Sequence, residues 1–488
     1  MKEYILYTIP LYLISIILTY FNLLPRSTLL YGIISIVVAF SLAAMKTKDR
    51  LRLHNAWIFL AFLLILTTRV IPYINNSIPL GYDTGTYKYA IEHPFDREMQ
   101  IAVERGFGFP LAFLDLFLPI SFILTYLLIG FELVLGFAVY KTVKEYFNKN
   151  IAILSLLVFS LSFVQLRVFT FMYYKNIIAL SLLLFSFYFL KKNKQIPFIL
   201  TASWLGSMHR PTFLLFGLSY LTYTIINYKV DLKKNIINGI IIIALTLFSY
   251  IGIIKDSLFP FLESAVGLEI GAGTFIGILE YQSLFLILLP FLFLGVYASI
   301  RNKSINILFI WFIFNLIFVS FKLIFFNRYI IHLDMIMLIL AAIGVYLAIK
   351  KSKAIGTVSL AMIVLFSSYI LIAYALNEKP LVSQAKLDEI QTLQNTEGMV
   401  MSTHKHDSPW LLGYSGRPTI APGLYSYSKW SLAEWSIFWN SGNFTEVKPL
   451  LDMYEKPISI YAHPVTNREK FNNDCFRQKT ENIFKYIC

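Results

Sequence analysis

Asp83 stands between two glycines in the run Gly81-Tyr82-Asp83-Thr84-Gly85-Thr86-Tyr87. A carboxylate so flanked, with no cation beside it in sequence, can approach a substrate closely and suits a general base that takes a proton from a hydroxyl. The competing reading is an Asx-turn, in which Asp83 bonds only its own backbone. Tyr82 and Tyr87 share that loop and are candidate substrate contacts. Basic residues recur at one set of ends of the apolar runs: Arg69, Arg167, Lys175, His209-Arg210, Lys322 and Arg328. A single one of these could snorkel to lipid phosphate. Together they could hold a phosphate and stabilise it as a leaving group. Arg328 and His332 are four residues apart and share a helix face, so Arg328 is expected to touch phosphate with His332 supporting it. Asp334 points elsewhere and suits packing.

Two other groups carry chemistry of lesser specificity. Glu269 lies beside Gly271-Ala272-Gly273-Thr274, where glycine permits either a mobile lid or a plain turn between helices. His404-Lys405-His406-Asp407 has the residue types of metal ligands but too little spacing for a closed site. A lone carboxylate at Asp83 is a poor site for a divalent cation. No cofactor is therefore indicated, and metal dependence stays open.

These residues must be positioned by elements dissolved in lipid. Of 488 residues, 57% are hydrophobic and 14% charged, whereas a soluble chain carries about 25% charged residues. Thirteen apolar runs approach the roughly 20 residues needed to cross hydrocarbon, the first near 4–24 and the last near 354–376. Alternate connections are basic, among them Lys46, Lys48, Arg50 and Arg52, then Lys141, Lys144 and Lys149, then Lys350, Lys351 and Lys353. The positive-inside rule puts these loops and the amino terminus in the cytoplasm and the tail outside. The first run reads as a retained anchor. Expected outer connections at 74–116 and 255–281 are long enough to enclose a site, whereas the inner ones are short. The formal net charge of +14 arises wholly before residue 377, because the last 112 residues carry 12 charges of each sign. It is topogenic charge and no argument for nucleic acid.

The predicted architecture is an all-α polytopic membrane protein of about 13 transmembrane helices over residues 1–376, with a small extracytoplasmic α/β domain at 377–488. In that tail, helices are expected over Ser383 to Asn395, Ser431 to Trp439 and Thr445 to Glu455. Strands are expected at Met399 to Ser402, Ile458 to Ala462 and Ile483 to Ile487, with the second pairing with the first. Gly413 to Gly423 reads as turn. Trp410, Trp430, Trp435 and Trp439 are expected to form its core, the alternative being a membrane-interface belt. Cys475 and Cys488 form either one disulfide or two free thiols.

The sequence resembles the polytopic GT-C glycosyltransferases. The likeness rests on the architecture, on Asp83 in an acidic outer loop, on His209-Arg210 after a span, on Arg328-Tyr329 opening the penultimate one, and on Gly413-Tyr414-Ser415-Gly416-Arg417-Pro418 in the tail. It implies a multi-pass plasma-membrane enzyme that takes sugar from a polyprenyl-phosphate-linked donor to a glycan, lipid or protein acceptor on the outer face. Family members usually carry the acidic loop after the first span and show two acids; here it follows the third, and Asp83 is alone. Residues 80–220 also resemble Wzy-like polysaccharide polymerases, through Gly81-Tyr82-Asp83, Tyr173-Tyr174-Lys175-Asn176 and His209. A transporter or flippase for lipid-linked sugars is the alternative of a different class, although its sites would be expected at the midplane on broken helices.

Overall fold

The computed structural model describes residues 2–21, 28–43, 53–74, 76–256, 276–301, 306–324, 326–422 and 428–488. Two compact units emerge, one of residues 1–75 with 128–378 and one of 76–127 with 379–488. Where it is described, each of the thirteen apolar runs falls mainly on helix. Among the described residues seven helices are long and apolar enough to cross a membrane, among them Ala56–Tyr73, Tyr174–Lys191, Phe326–Lys351 and Lys353–Asn377. Helix is the natural state of such runs, because it satisfies every backbone group within the segment where no water can.

The expected span at 151–168 is a bent pair, Lys149–Ser160 and Phe163–Thr170, turned by 53°. The cause is local. Ser162 takes the N-cap of the second helix and accepts from the Gln165 backbone N–H at 3.2 Å, a bond that a continuous helix would not offer. Lys2–Tyr20, Thr28–Ala43 and Ile307–Ser320 are further apolar helices of 19, 16 and 14 residues.

Close helix packing in the first unit relies on glycine. A Cβ at Gly295 would lie 1.9 Å from the Leu340 carbonyl oxygen, and one at Gly344 would lie 1.8 Å from that of Phe291. The helices Leu289–Arg301 and Phe326–Lys351 thus meet backbone to backbone, the packing that small residues permit where no hydrophobic effect drives helices together. A fully buried ion pair, Arg69 to Glu132 at 3.2 Å, lies in the same unit. Arg69 was expected among the phosphate-binding cations, but this geometry gives it a carboxylate partner within the helices.

The second unit is built on a five-stranded sheet of β1 (Met399–Ser402), β2 (Thr419–Ile420), β3 (Ile458–Tyr461), β4 (Phe476–Gln478) and β5 (Ile483–Tyr486), in the order β2-β1-β3-β5-β4. β1 pairs parallel with β2 and β3, while β5 is antiparallel to β3 and β4. Alternate strand residues feed two cores. Met401, Ile458, Ile460 and Tyr486 join Trp430, Trp435 and Phe438 on one face. Val400, Tyr461 and Ile483 join Ile78, Leu387 and Trp410 on the other. Trp410, Trp430 and Trp435 are core residues, and the half-buried Trp439 packs against the first of these cores. The helix Ser408–Ser415 occupies part of the expected turn region, and the short edge strands β2 and β4 had no sequence signal. Cys475 and Cys488 are disulfide-bonded.

Candidate active site

In the second unit, Gly81 adopts a left-handed φ of 77°, which glycine tolerates without a Cβ penalty. That turn starts the helix Thr84–Glu92 with Asp83 at its N-cap. The Thr84 hydroxyl pins the turn by donating to the Leu80 carbonyl and, at 3.2 Å, to that of Gly81. The half-buried Asp83 makes no side-chain capping bond, which departs from the Asx-turn expectation. Its carboxylate therefore sits at the positive end of a helix dipole.

Tyr82 donates its hydroxyl to the Lys405 carbonyl at 3.1 Å, and its ring meets that of His406 edge-on at 5.7 Å. Burial, with Asp83 and Asp407 adding to it, pushes the Tyr82 phenol up to about 12, so it remains a donor at neutral pH. Tyr87 is buried with its ring 4.9 Å from Phe107, which gives it a packing role. The helix bearing Asp83 crosses Ser408–Ser415 at two glycines. A Cβ on Gly85 would stand 1.9 Å from the Pro409 carbonyl oxygen, and one on Gly413 would stand 2.5 Å from the Cα of Gly85. Two motifs more than 300 residues apart are thereby one packing contact.

In the first unit, the helix Gln195–Met208 stops at His209, whose backbone is extended, and Arg210–Ile226 begins with Pro211 in its first turn, where a missing N–H costs nothing. This break points His209 inward. Its Nδ1 lies 2.7 Å from Thr212 Oγ1, which lies 3.0 Å from His332 Nε2, and Tyr329 donates to the Pro211 carbonyl at 3.3 Å. The groups whose charge acts on His209 are Lys175, Arg328, His332 and Arg210. Five candidates from three stretches of sequence thus lie within electrostatic reach of His209.

Other candidates are placed differently. Arg167 pairs with Glu280 at 2.5 Å and lies over the Phe171 ring. Lys322 is exposed in a left-handed turn with φ of 50° and is not one of the groups around His209. Glu269 lies outside the described residues. Asp334 is buried and accepts from Ser162 Oγ and Gln165 Nε2, both at 2.8 Å. It also lines an apolar cleft of about 190 Å³ bounded by residues such as Ile16, Val164, Phe285, Leu338 and Phe366. Among the described residues, the three-residue group able to hold a metal ion is His404, Asp407 and His463, and Asp83 is not part of it.

Residues 112–253 match the family model described as Dolichyl-phosphate-mannose-protein mannosyltransferase, and no curated protein matches the chain in sequence. The structure resembles that of the archaeal oligosaccharyltransferase AglB from Archaeoglobus fulgidus, in complex with an inhibitory peptide and a dolichol-phosphate. The TM-score is 0.61 at 11% identity, over 84% of this chain and 69% of that one. ArnT from Cupriavidus metallidurans in the apo state matches with a TM-score of 0.60 at 9% identity, over 88% and 97% of the two chains. Its form bound to undecaprenyl phosphate gives 0.55 at 11% identity with the same coverage. The fold is that of the GT-C glycosyltransferases.

Within the GT-C fold, Thr212 was missed from sequence because a threonine three residues beyond a histidine carries no signal of its own. Its role is to join His209 to His332, 120 residues apart. Ser162 and Gln165 were missed as partners of Asp334 for the same reason. A polar residue interrupting an apolar run, as both do, is the signal that would have found them.

Proposed function

We propose that this protein is a multi-pass plasma-membrane glycosyltransferase that moves a sugar from a polyprenyl-phosphate-linked donor to an acceptor hydroxyl on the outer face. Lys175, Arg210 and Arg328, whose charges all act on His209, carry this reading, because several cations within electrostatic reach of one group suit a phosphate that must leave with an extra negative charge. The likeness to proteins solved with dolichol-phosphate and with undecaprenyl phosphate supports a lipid-linked donor, and the apolar cleft beside Asp334 suits part of its chain. In the proposed reaction Asp83 accepts the acceptor's hydroxyl proton, the freed oxygen bonds the anomeric carbon, and the bond from that carbon to phosphate breaks with its electron pair staying on phosphate. His209 and His332, joined through Thr212, brace the helix starts that carry Arg210 and Arg328, and Tyr82 steadies the loop of Asp83. The spans number up to thirteen, with the amino terminus inside and residues 377–488 outside as an extracytoplasmic domain.

Transfer from a radiolabelled polyprenyl-phosphate sugar, measured in inverted and right-side-out vesicles, tests the proposal. Arg328→Ala and Arg210→Ala are each expected to lower turnover by about 100-fold or more, and Asp83→Asn by about 100-fold to 10,000-fold, with insertion unchanged. Parent turnover in all three inserted variants would overturn the assignment. The comparisons do not favour the polymerase or flippase readings; a product ladder of repeat units, or donor crossing without transfer, would restore one or the other.

A further inference from the structure

The second unit carries a ligand group that the transfer reaction does not use. β1 and β3 are adjacent and parallel, with Ser402 registered on Tyr461, so the residues just past their ends are neighbours. His404 follows β1 by two positions and His463 follows β3 by two. The carboxyl edge of parallel strands is where such sheets commonly place ligands. Local bonds fix both turns: the Thr403 N–H donates to the Tyr461 carbonyl at 3.0 Å, the His463 N–H to Thr403 Oγ1 at 2.8 Å, and the His404 N–H to Ser402 Oγ at 3.0 Å.

The histidine rings stand 4.5 Å apart, centre to centre, and Asp407 joins them from the turn that follows His404. One ligand atom from each of the three lies within 4.8 Å of the others. Around a zinc ion bonded at about 2.0–2.1 Å, tetrahedral ligand atoms stand about 3.3 Å apart, so small ring rotations close the set. His404 Nδ1 is buried with no hydrogen-bond partner. Lys386 holds Asp407 Oδ1 at 2.6 Å, while Oδ2 has only a long 3.3 Å contact with Ser402 Oγ. The second oxygen is thus the one available to a metal, and Lys386 orients the carboxylate in the way that outer partners orient metal ligands. The sequence spacing had argued against a closed site; the missing ligand came from 56 residues further on.

We propose that His404, His463 and Asp407 form a site for a borderline divalent cation of the zinc type, with a fourth position open to water. Two imidazoles and one carboxylate are the ligand types that such ions prefer. The ion would tie the ends of β1 and β3 together and fix the turn whose Lys405 carbonyl receives the Tyr82 hydroxyl. The site does not depend on the glycosyl-transfer reading.

The test uses the tag-free full-length chain in detergent, treated with chelator and titrated with Co2+ while the visible d–d absorption is followed. Uptake of one Co2+ per chain, displaced by one equivalent of Zn2+, is expected. His404→Ala with His463→Ala should weaken binding by about 100-fold or more, whereas His93→Ala should leave it unchanged. Should the double variant fail to fold, zinc-edge X-ray absorption on the parent protein decides. A first shell of nitrogen and oxygen at about 2.0–2.1 Å with scattering from two imidazoles supports the site. No d–d bands in the parent chain, equal binding by a folded double variant, or a shell without imidazole would each overturn it.

Discussion

Two buried cations, Arg69 in the helical unit and Lys470 in the sheet unit, are held in opposite ways. In the helical unit, Arg69 and Glu132 are both wholly buried and neutralise each other at 3.2 Å. In the sheet unit, the buried Lys470 donates to the Phe438 carbonyl and lies 5.1 Å and 5.8 Å from the ring centres of Phe438 and Phe471. Burial brings the Lys470 ammonium down to about 8. An arginine, which stays protonated even when buried, needs an opposite charge among membrane helices. A lysine under an aqueous surface can instead be carried by a carbonyl and two rings and can give up its proton.

The largest effect is expected at the Arg69–Glu132 ion pair. Arg69→Met leaves Glu132 buried and unpaired and is expected to cost about 3–5 kcal/mol, with Arg69→Met plus Glu132→Leu recovering most of it; thermal unfolding in detergent measures both. If the single and double variants melt alike, the pair is not what keeps these charges inside. Backbone contact at glycine, by contrast, should serve the sheet unit as strongly as the helices. Gly85→Ala forces a methyl group against the Pro409 carbonyl and should cost about 3 kcal/mol, seen as early proteolysis of 379–488. Gly130→Ala, with open space around its Cβ, should be silent in the same assay.

A smaller effect is expected at the hydroxyl between the two buried histidines. Thr212→Val keeps the shape but removes the bridge, for a loss of about 1–3 kcal/mol, whereas Thr212→Ser should retain most of the stability. Equal melting of the two variants would show the bridge to be idle. The smallest effect sharpens the contrast in proton exchange. Because the folded Lys470 binds its proton more weakly than the unfolded chain does, the unfolded state holds more protons above about pH 8, and stability from this group rises from there towards its ordinary value near 10.5. Lys470→Met should remove that rise between pH 8 and 9.5, and an unchanged slope would count against a depressed lysine.

Much of this was legible in the residues. The strands at Met399–Ser402, Ile458–Tyr461 and Ile483–Tyr486 were readable because β-branched and aromatic residues alternate over a few positions between turn signals. Helices in the apolar runs follow from the demand that backbone groups be satisfied without water. The bend at Ser162 was less legible, since a serine in an apolar run is compatible with both a straight and a broken helix. Arg328 and His332 shared a face by spacing alone, but nothing in the spacing foretold that Arg69 would be spent on Glu132 or that Arg167 would pair with Glu280.

The amino-acid order by itself determined which stretches leave water, where the apolar helices and three of the five strands lie, and which residue types were present for proton transfer and phosphate binding. Those are local matters, set by periodicity, capping and the energy of transferring side chains and backbone out of water. Tertiary structure alone decided that Lys175, Arg210 and Arg328 share His209 as a neighbour, that Gly85 meets Gly413, and that His463 stands beside His404. Each of these joins residues tens to hundreds of positions apart, and a single chain records no pairing between distant positions until packing brings them into contact.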